Sequence, residues 1–331
     1  MPGKNVSKRF SDPSAVVTNS VLVQSEFLTQ VAVGVRDNQF VMGNLLPDVG
    51  VRKDTDKILV VSPKGMFKPA ERRAETALPE QAAVQFAEDS YSTDEFALEG
   101  WVSDDAIRNA IVQIDPLSRE AEFLMKRILL TQEIGIINEI FGAVKVAGVN
   151  YYKILGATEK WNGGSASAPL SDFSLCISKI AARTGYRPNI ASMSSDAYEA
   201  FIGNAQVTEI LRNTSASQIT DAMPVAQIRG LRLQFADGVV NEGSIDTPSY
   251  KNIQYDVNTS TQLFDTVVVS YVAPGDTLTL GHNFVSKPVI SFQGRGLEGD
   301  RRQATLVYVA KKFGPKVTNV GAAHVIGKVL G

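Results

Sequence analysis

The clearest hydrophobic pattern in the sequence runs from Pro116 to Phe141. Apolar residues recur there at intervals of three and four positions, and a second apolar set covers much of the remaining surface. The first set is Leu117, Ala121, Leu124, Met125 and Ile128, and the second is Phe123, Leu130, Ile134, Ile137 and Phe141. This spacing predicts one α-helix over 116–141, about 40 Å long, that packs on two sides.

Both ends of this segment carry helix-boundary signals. Asp115 can accept hydrogen bonds from the first turn, and Pro116 suits the first helical position because no N–H is needed there. Gly142 is the expected stop, since glycine readily adopts the left-handed conformation that ends many helices.

Upstream of this helix, strand-like stretches flank a long charged segment. Residues 57–61 are rich in β-branched side chains, and strand patterns return at 82–86 and 94–102. Residues 62–80 contain many charges, three prolines and one glycine, with almost no core-forming side chains. The pattern predicts an extended β-hairpin whose tip cannot bury itself. A surface loop is the alternative, but loops of this length are usually binding elements.

The remaining segments predict a mixture of short helices and strands. We expect helices within 21–33, over 102–110 with Ser103 as cap, and from Ser171 to a stop at Gly185. NGGSASAP at 162–169 is a small-residue linker and predicts a domain boundary. Further strands are predicted at 186–195, 231–235, 266–271, 288–292 and 305–309. Because strands and helices do not alternate strictly, the class is α+β.

Composition narrows the choice of function. The chain has 331 residues, which is enough for two domains. Its formal net charge is -2, so the chain as a whole has no positive potential that would attract nucleic acid. Its single cysteine, Cys176, excludes an intrachain disulfide, and no apolar run approaches the ~20 residues of a membrane helix. Residues 1–20 predict a polar arm carrying Lys4, Lys8 and Arg9, solvated or draped on a partner.

Convergent chemical groups are missing from the sequence. His282 and His324 lack partners at metal-ligand or nucleophile spacing, and we expect no catalytic residue, cofactor or metal. Gly294–Gly299 matches G-x-G-x-x-G after a strand, which leaves a dinucleotide-binding enzyme as a remote alternative. A glycine-rich hairpin between two strands explains the motif better, because only about thirty residues remain after it.

In order and spacing, these segments resemble the major capsid proteins of tailed double-stranded DNA bacteriophages, which share the Hong Kong 97 fold. The lead-in and loop stretches that carry the resemblance are NLLPDVGVRKDTDKI, FKPAERRAE and DSYSTDEFALEGWVSDDAIRNA. The helical and axial stretches are PLSREAEFLMKRILLTQEIGIINEI, KWNGG and SDFSLCISKIAARTGYRPNIASMSSDAYEAF. The resemblance covers nearly the whole chain.

The resemblance implies an α+β Hong Kong 97-type fold with an N-terminal arm, an extended β-hairpin loop (E-loop), a peripheral domain with a long spine helix, and an axial domain. The implied limits are 1–50 for the arm and lead-in, 51–101 for the extended loop, and 102–161 for the peripheral domain with its spine helix at 116–141. The axial domain follows at 162–295, and C-terminal strands at 296–331 partly return to the peripheral domain.

The implied function is that of a non-enzymatic shell subunit in a virion. Its copies would form pentamers and hexamers enclosing double-stranded DNA without sequence-specific contacts, after assembly in the host cytoplasm. Scaffolding, portal and decoration proteins are further implied partners, and no membrane is involved. The candidate intersubunit contacts on the extended loop are Lys64, Lys68, Glu71, Arg72, Arg73 and Glu75, with Lys4, Lys8 and Arg9 on the arm. An encapsulin-like compartment that holds protein cargo is the nearest alternative.

Overall fold

The computed structural model describes residues 22–35, 40–61, 69–70, 72–73, 78, 86–110, 115–213, 227–236, 238–241, 247, 249–252, 265–295 and 297–330. The helices are α1 (Glu26–Gly34), α2 (Asp104–Arg108), α3 (Pro116–Ala147), α4 (Pro169–Thr184), α5 (Ser195–Gly203), α6 (Ala205–Asn213) and α7 (Leu297–Arg302). The first strands are β1 (Leu22–Gln24), β2 (Asp48–Gly50), β3 (Thr55–Val61), β4 (Phe86–Ser92), β5 (Asp94–Ser103), β6 (Tyr152–Ile154), β7 (Ile190–Met193) and β8 (Gln227–Ile228). The later strands are β9 (Leu231–Phe235), β10 (Val239–Asn241), β11 (Tyr250–Asn252), β12 (Val267–Ser270), β13 (Gly281–Gly294), β14 (Ala304–Val317) and β15 (Ala323–Gly327). The mixture confirms the predicted α+β class.

The described residues belong to two compact units. The first contains the described parts of Met1–Arg36, Glu95–Leu129 and Lys287–Lys312. The second contains the described parts of Asp37–Asp94, Leu130–Ser286 and Phe313–Gly331. Helix α3 and the long strands β13 and β14 contribute residues to both units.

Helix α3 begins at Pro116 as predicted but ends later than expected. Asp115 accepts hydrogen bonds from the backbone N–H groups of Leu117 (3.2 Å) and Ser118 (3.3 Å), which confirms the cap. The helix continues through Gly142 to Ala147, so the prediction that it stops at 141 was wrong. Val144 is 1% exposed and extends the buried face. Its burial outweighs the roughly 1 kcal/mol that a helical glycine costs.

The two short helices predicted in the first unit are present, and Ser103 caps the second of them as predicted. Ser25 accepts a hydrogen bond from Leu28 N (3.2 Å) and begins α1, while Ser103 accepts one from Ala106 N (3.2 Å) and begins α2. The α1 N-terminus also contacts β13, because Ser25 N donates to the Ser291 carbonyl at 3.1 Å. Strand β1 pairs antiparallel with β13, in a sheet of order β1-β13-β14-β5 in which β2 pairs parallel with β13.

A six-stranded mixed sheet dominates the second unit. Its order is β6-β15-β12-β7-β9-β8; β7 is parallel to β9 and antiparallel to β12, and β6 is parallel to β15. Strand β9 covers 231–235 as predicted, and α4 ends at Gly185, which has φ 76° as the predicted stop requires.

Helices α4 and α5 cover one face of this sheet with an apolar core. Three aromatic rings, Trp161, Phe173 and Phe201, lie within 5.6–5.8 Å of one another by ring centroid. Asp172 is buried beside them and accepts hydrogen bonds from Lys153 Nζ at 2.9 Å and Trp161 Nε1 at 3.0 Å. The buried carboxylate thus joins α4 to the segment that precedes it.

The second half of α3 packs on a second core, together with the lead-in segment 41–47. Met42, Leu45 and Leu46 are each 0% exposed and pack with Ile136 and Ile140 of the helix. The lead-in segment therefore contributes buried side chains to the core of the second unit.

Candidate intersubunit contact surfaces

Strands β3 and β4 form a β-hairpin, as predicted, but the return strand lies later than expected. It covers Phe86–Ser92, whereas the predicted 82–86 lies outside the described residues except for Phe86. The two strands pair antiparallel over seven residue pairs, from Thr55 opposite Ser92 to Val61 opposite Phe86. Successive side chains of a strand point to opposite faces, and directly paired residues share a face. The hairpin therefore has two distinct surfaces.

One face of the hairpin packs toward the rest of the second unit. Ile58 and Val60 are half-buried there, and Tyr91, which is 8% exposed, shares this face. The Tyr91 ring stacks on Phe284 with centroids 4.3 Å apart. A groove of about 310 Å³ lies beside these residues, and its lining includes His282.

The opposite face leaves large apolar side chains in solvent. Leu59 is 65% exposed and Phe86 is 58% exposed. Beside them, Lys57 Nζ and Glu88 Oε2 form an ion pair at 2.6 Å across the two strands. An exposed pair of this kind contributes about 0–1 kcal/mol, so it orients the surface more than it stabilises it.

The base of the hairpin is anchored by polar contacts. Thr93 donates its backbone N–H to the Asp54 carbonyl at 2.8 Å, and its hydroxyl lies 3.0 Å from Ser286 Oγ. Lys316 on β14 pairs with Asp89 at 3.3 Å. Gly314 lies so close to this base that a Cβ there would overlap the Ser92 carbonyl oxygen. These contacts hold the base of the hairpin against β14 and the start of β13.

Most of the contact residues predicted from sequence lie outside the described residues. These are Lys64, Lys68, Glu71 and Glu75 on the loop and Lys4, Lys8 and Arg9 on the arm. Arg72 and Arg73 are described and exposed. Sequence reasoning missed Leu59 and Phe86, although the strict alternation along a two-stranded hairpin would have placed both on one face.

The glycine-rich motif connects neighbouring strands β13 and β14 through α7, a six-residue helix. The prediction that this motif connects two strands is therefore confirmed, and the connection also contains a short helix. Arg295 pairs with Asp104 at 2.6 Å and with Asp300 at 2.9 Å, so its guanidinium is engaged within the protein. A Cβ at Gly299 would approach the Ala304 carbonyl oxygen to 2.7 Å. Close packing therefore explains Gly299.

Buried titratable groups occur in the cores. Burial raises the pKa of the Cys176 thiol and lowers that of His324 to about 4. Among the described residues, no three His, Cys, Asp or Glu side chains are grouped as metal ligands. Within the same described part of the chain, no helix is long and apolar enough to cross a membrane.

Glu133 on α3 holds the lead-in segment. It is 4% exposed and accepts hydrogen bonds from Met42 N at 2.8 Å and Gly43 N at 3.4 Å, the first N–H groups of a 3-10 turn. Burial raises the pKa of Glu133 to about 7, although both hydrogen bonds favour the charged form and oppose this rise.

The raised pKa of Glu133 predicts a pH-dependent stability. Relative to an ordinary value of 4.5, the folded protein binds an extra proton up to about pH 7, so stability is highest at low pH and falls across this window. At about 1.4 kcal/mol per pH unit, the loss attributable to Glu133 is roughly 3–4 kcal/mol over this window. Glu133→Gln should match the unmodified protein at pH 4, below both pKa values, and be more stable at pH 8.

Urea unfolding of the unassembled chain at several pH values measures this difference. Glu122→Gln, which changes an exposed carboxylate on the same helix, is the matched control and should keep the original pH dependence. Parallel stability curves for Glu133→Gln and the unmodified chain would contradict the assignment.

Comparison with protein-family models and with curated proteins found no match to this sequence. Solved structures do match. A phage-related protein from Bordetella bronchiseptica RB50 aligns with a TM-score of 0.70 at 18% identity, covering 93% of this chain and 98% of that one. The capsid of cyanophage P-SCSP1u aligns with a TM-score of 0.59 at 11% identity, covering 87% and 88%. A virus-like particle from Pyrococcus furiosus aligns with a TM-score of 0.51 at 11% identity, covering 90% and 95%.

These alignments span most of the chain and most of each matched chain. The chain has the Hong Kong 97 capsid fold. The β3–β4 hairpin lies within the limits expected for the extended loop, and α3 begins where the spine helix was expected. Four strands of the six-stranded sheet, with α4, lie within the limits expected for the axial domain. The Hong Kong 97 resemblance found in the sequence is thereby confirmed at the level of fold.

Proposed function

We propose that this chain is the structural subunit of a bacteriophage icosahedral shell. Its copies assemble into pentamers and hexamers that enclose double-stranded DNA without sequence-specific contacts. The fold supports this function, because the capsid of cyanophage P-SCSP1u and structures from the mycobacterium phages Bobi and Adephagia match it over most of the chain. The chain acts as a structural protein rather than as an enzyme, and it resides in the virion after assembly in the host cytoplasm.

The observation that carries the proposal is the uncovered face of the extended hairpin. Its own unit partly covers one face of the hairpin, whereas Leu59 and Phe86 on the other face remain mostly in solvent. Burying one such side chain contributes about 1.5–3 kcal/mol before ordering costs. One such contact is weak, but every copy in a shell would make it, and the summed contacts would stabilise the assembled shell.

The geometry of a ring follows from the kind of contact. A hairpin that lies on a different surface of the neighbouring copy makes a heterologous contact, and such contacts close into rings when the rotation allows. The charged loop residues Lys68, Glu71, Arg72, Arg73 and Glu75 would then pair with a neighbour and define register, since exposed ion pairs add little strength. The domain limits expected from the sequence form part of the same proposal.

Replacing both exposed apolar residues tests the role of the hairpin. Leu59→Ser with Phe86→Ser should leave a folded subunit that forms no stable shells, because the apolar contact with the neighbour is lost. Deleting residues 64–78 should have the same result. Negative-stain microscopy and sedimentation measure assembly, and circular dichroism measures folding.

The conservative pair Leu59→Met with Phe86→Leu is the matched control, because it keeps apolar area at both positions. It should assemble like the unmodified chain. Normal shells from the serine variant would refute the role of this face. The contents of purified shells distinguish the two uses of the fold, since DNA supports the phage function and an enzyme cargo supports a protein compartment.

A further inference from the structure

Two arginines share an open concavity at one end of the axial domain. The concavity, of about 410 Å³, is lined by Ser174, Ile177 and Ser178 of α4 together with Arg187 and Arg229. Arg229 donates a hydrogen bond to Ser174 Oγ. No carboxylate among the described residues pairs with either guanidinium. Two cations and two hydroxyls around one opening form a site for an anionic group.

The backbone places Arg229 in an unusual conformation. Strands β8 and β9 pair through Ile228 and Leu231, which leaves a two-residue turn made of Arg229 and Gly230. Both residues have positive φ angles, 49° and 85°, as in a type I′ turn, whose first position favours asparagine, aspartate or glycine. An arginine has no conformational preference for a positive φ angle. The contacts of its side chain therefore explain the presence of an arginine at position 229 better than the turn geometry does.

The sheet registers place carboxylates at the opposite end of the same domain. Arg187 and Arg229 precede the parallel strands β7 and β9, so both lie at the N-terminal ends of these strands. Helix α5 follows β7 at its other end and carries the exposed residues Asp196 and Glu199. Asp265 precedes the antiparallel strand β12 and lies at this same end.

Nearby charges affect the pKa of Asp265. Burial raises the pKa of Asp265, and the charge of Asp196 raises it further, whereas Lys160 lowers it. Lys160 is thus a nearby cation that offsets part of the charge, and Asp196, Glu199 and Asp265 together leave this end acidic. One domain therefore has a cationic concavity at one end and exposed carboxylates at the other.

We propose that the concavity of one copy binds Asp196 and Glu199 of a second copy of this chain. The proposal rests on the shell function proposed above and names residues that would join neighbouring axial domains. In a closed ring of copies arranged head to tail, the cationic concavity of every copy would hold the carboxylates of the next copy. A nucleic acid is a poorer occupant, because its affinity depends on many phosphate contacts and this site offers two cations.

Charge reversal on one side and on both sides tests the pairing in the full chain. Arg187→Glu with Arg229→Glu, and separately Asp196→Arg with Glu199→Arg, should each raise the critical concentration for assembly at least about tenfold. The four-residue swap restores complementarity in every copy and should return the critical concentration to within about threefold of the original. Light scattering measures assembly, and circular dichroism melting confirms that each variant folds.

Lys179→Glu, on α4 but outside the concavity, is the matched control for Arg187→Glu introduced alone. It changes the net charge equally and should leave the critical concentration unchanged. Where a reversed variant does not fold, the milder pair Arg187→Gln with Arg229→Gln replaces it and should still weaken assembly.

Each other outcome overturns the pairing. One-sided variants that assemble at the original concentration overturn it and leave the shell function intact, as does a folded four-residue swap that fails to assemble. Normal shells that lose retained DNA on Arg187→Glu with Arg229→Glu would assign the site to phosphate instead. An unmodified chain that never assembles overturns the shell function, and this pairing with it.

Discussion

Gly314→Ala should destabilise the chain by at least about 3 kcal/mol, the largest loss expected from adding one methyl group. An alanine Cβ would overlap the carbonyl oxygen of Ser92 and lie 3.1 Å from Thr93 Cα. Both obstacles are backbone atoms, so no side chain can move aside. The base of the hairpin would have to separate from β14. Urea unfolding of the full-length chain below its assembly concentration measures the loss.

Gly142→Ala is the matched control, since it adds the same methyl group in open space within α3. Alanine should stabilise the helix by about 0.5–1 kcal/mol. Opposite signs for the two glycines would show that close packing, and not glycine content, determines the cost. A neutral Gly314→Ala variant would mean that β14 and the hairpin base are not in contact.

Asp172→Ala should cost about 3 kcal/mol of unfolding free energy. The carboxylate is 5% exposed and accepts hydrogen bonds from Lys153 and Trp161, so its removal leaves a half-buried cation and an indole N–H unpaired. Asp172→Asn keeps an acceptor for the indole and should cost less. Thermal and urea unfolding, with tryptophan fluorescence as probe, measure both variants.

Glu159→Gln is the control for this pair, because Glu159 contacts the same lysine at 3.5 Å from a 40% exposed side chain. An exposed partner should be worth about 0–1 kcal/mol. Equal losses for Asp172→Ala and Glu159→Gln would show that burial does not strengthen the interaction with Lys153.

Local signals in the sequence predicted the elements that depend on neighbouring residues. The start of α3 at Pro116, the stop of α4 at Gly185 and strand β9 all rest on caps, left-handed glycine or short alternation, which act over a few residues. The antiparallel hairpin was predictable for the same reason. The family resemblance, read from the order of segments, predicted the assembly of these parts into one fold.

Long-range contacts explain what the sequence alone did not reveal. Glu133 caps a turn 91 residues earlier in the chain, and no local pattern marks a glutamate as buried. Gly142 fails to end α3 because Val144 gains burial in a core built from distant segments. The Arg187 and Arg229 concavity likewise forms only when two parallel strands begin side by side.

Helix α3 also constrains which insertions and deletions the chain can tolerate. Within the second unit, Ile136 and Ile137 are buried, and Ile140, Phe141 and Val144 are buried one to two turns further on. One residue inserted between the two sets would turn the later side chains by about 100° around the helical axis, away from the partners they now have. The spacing between the two sets therefore admits no insertion or deletion of a single residue.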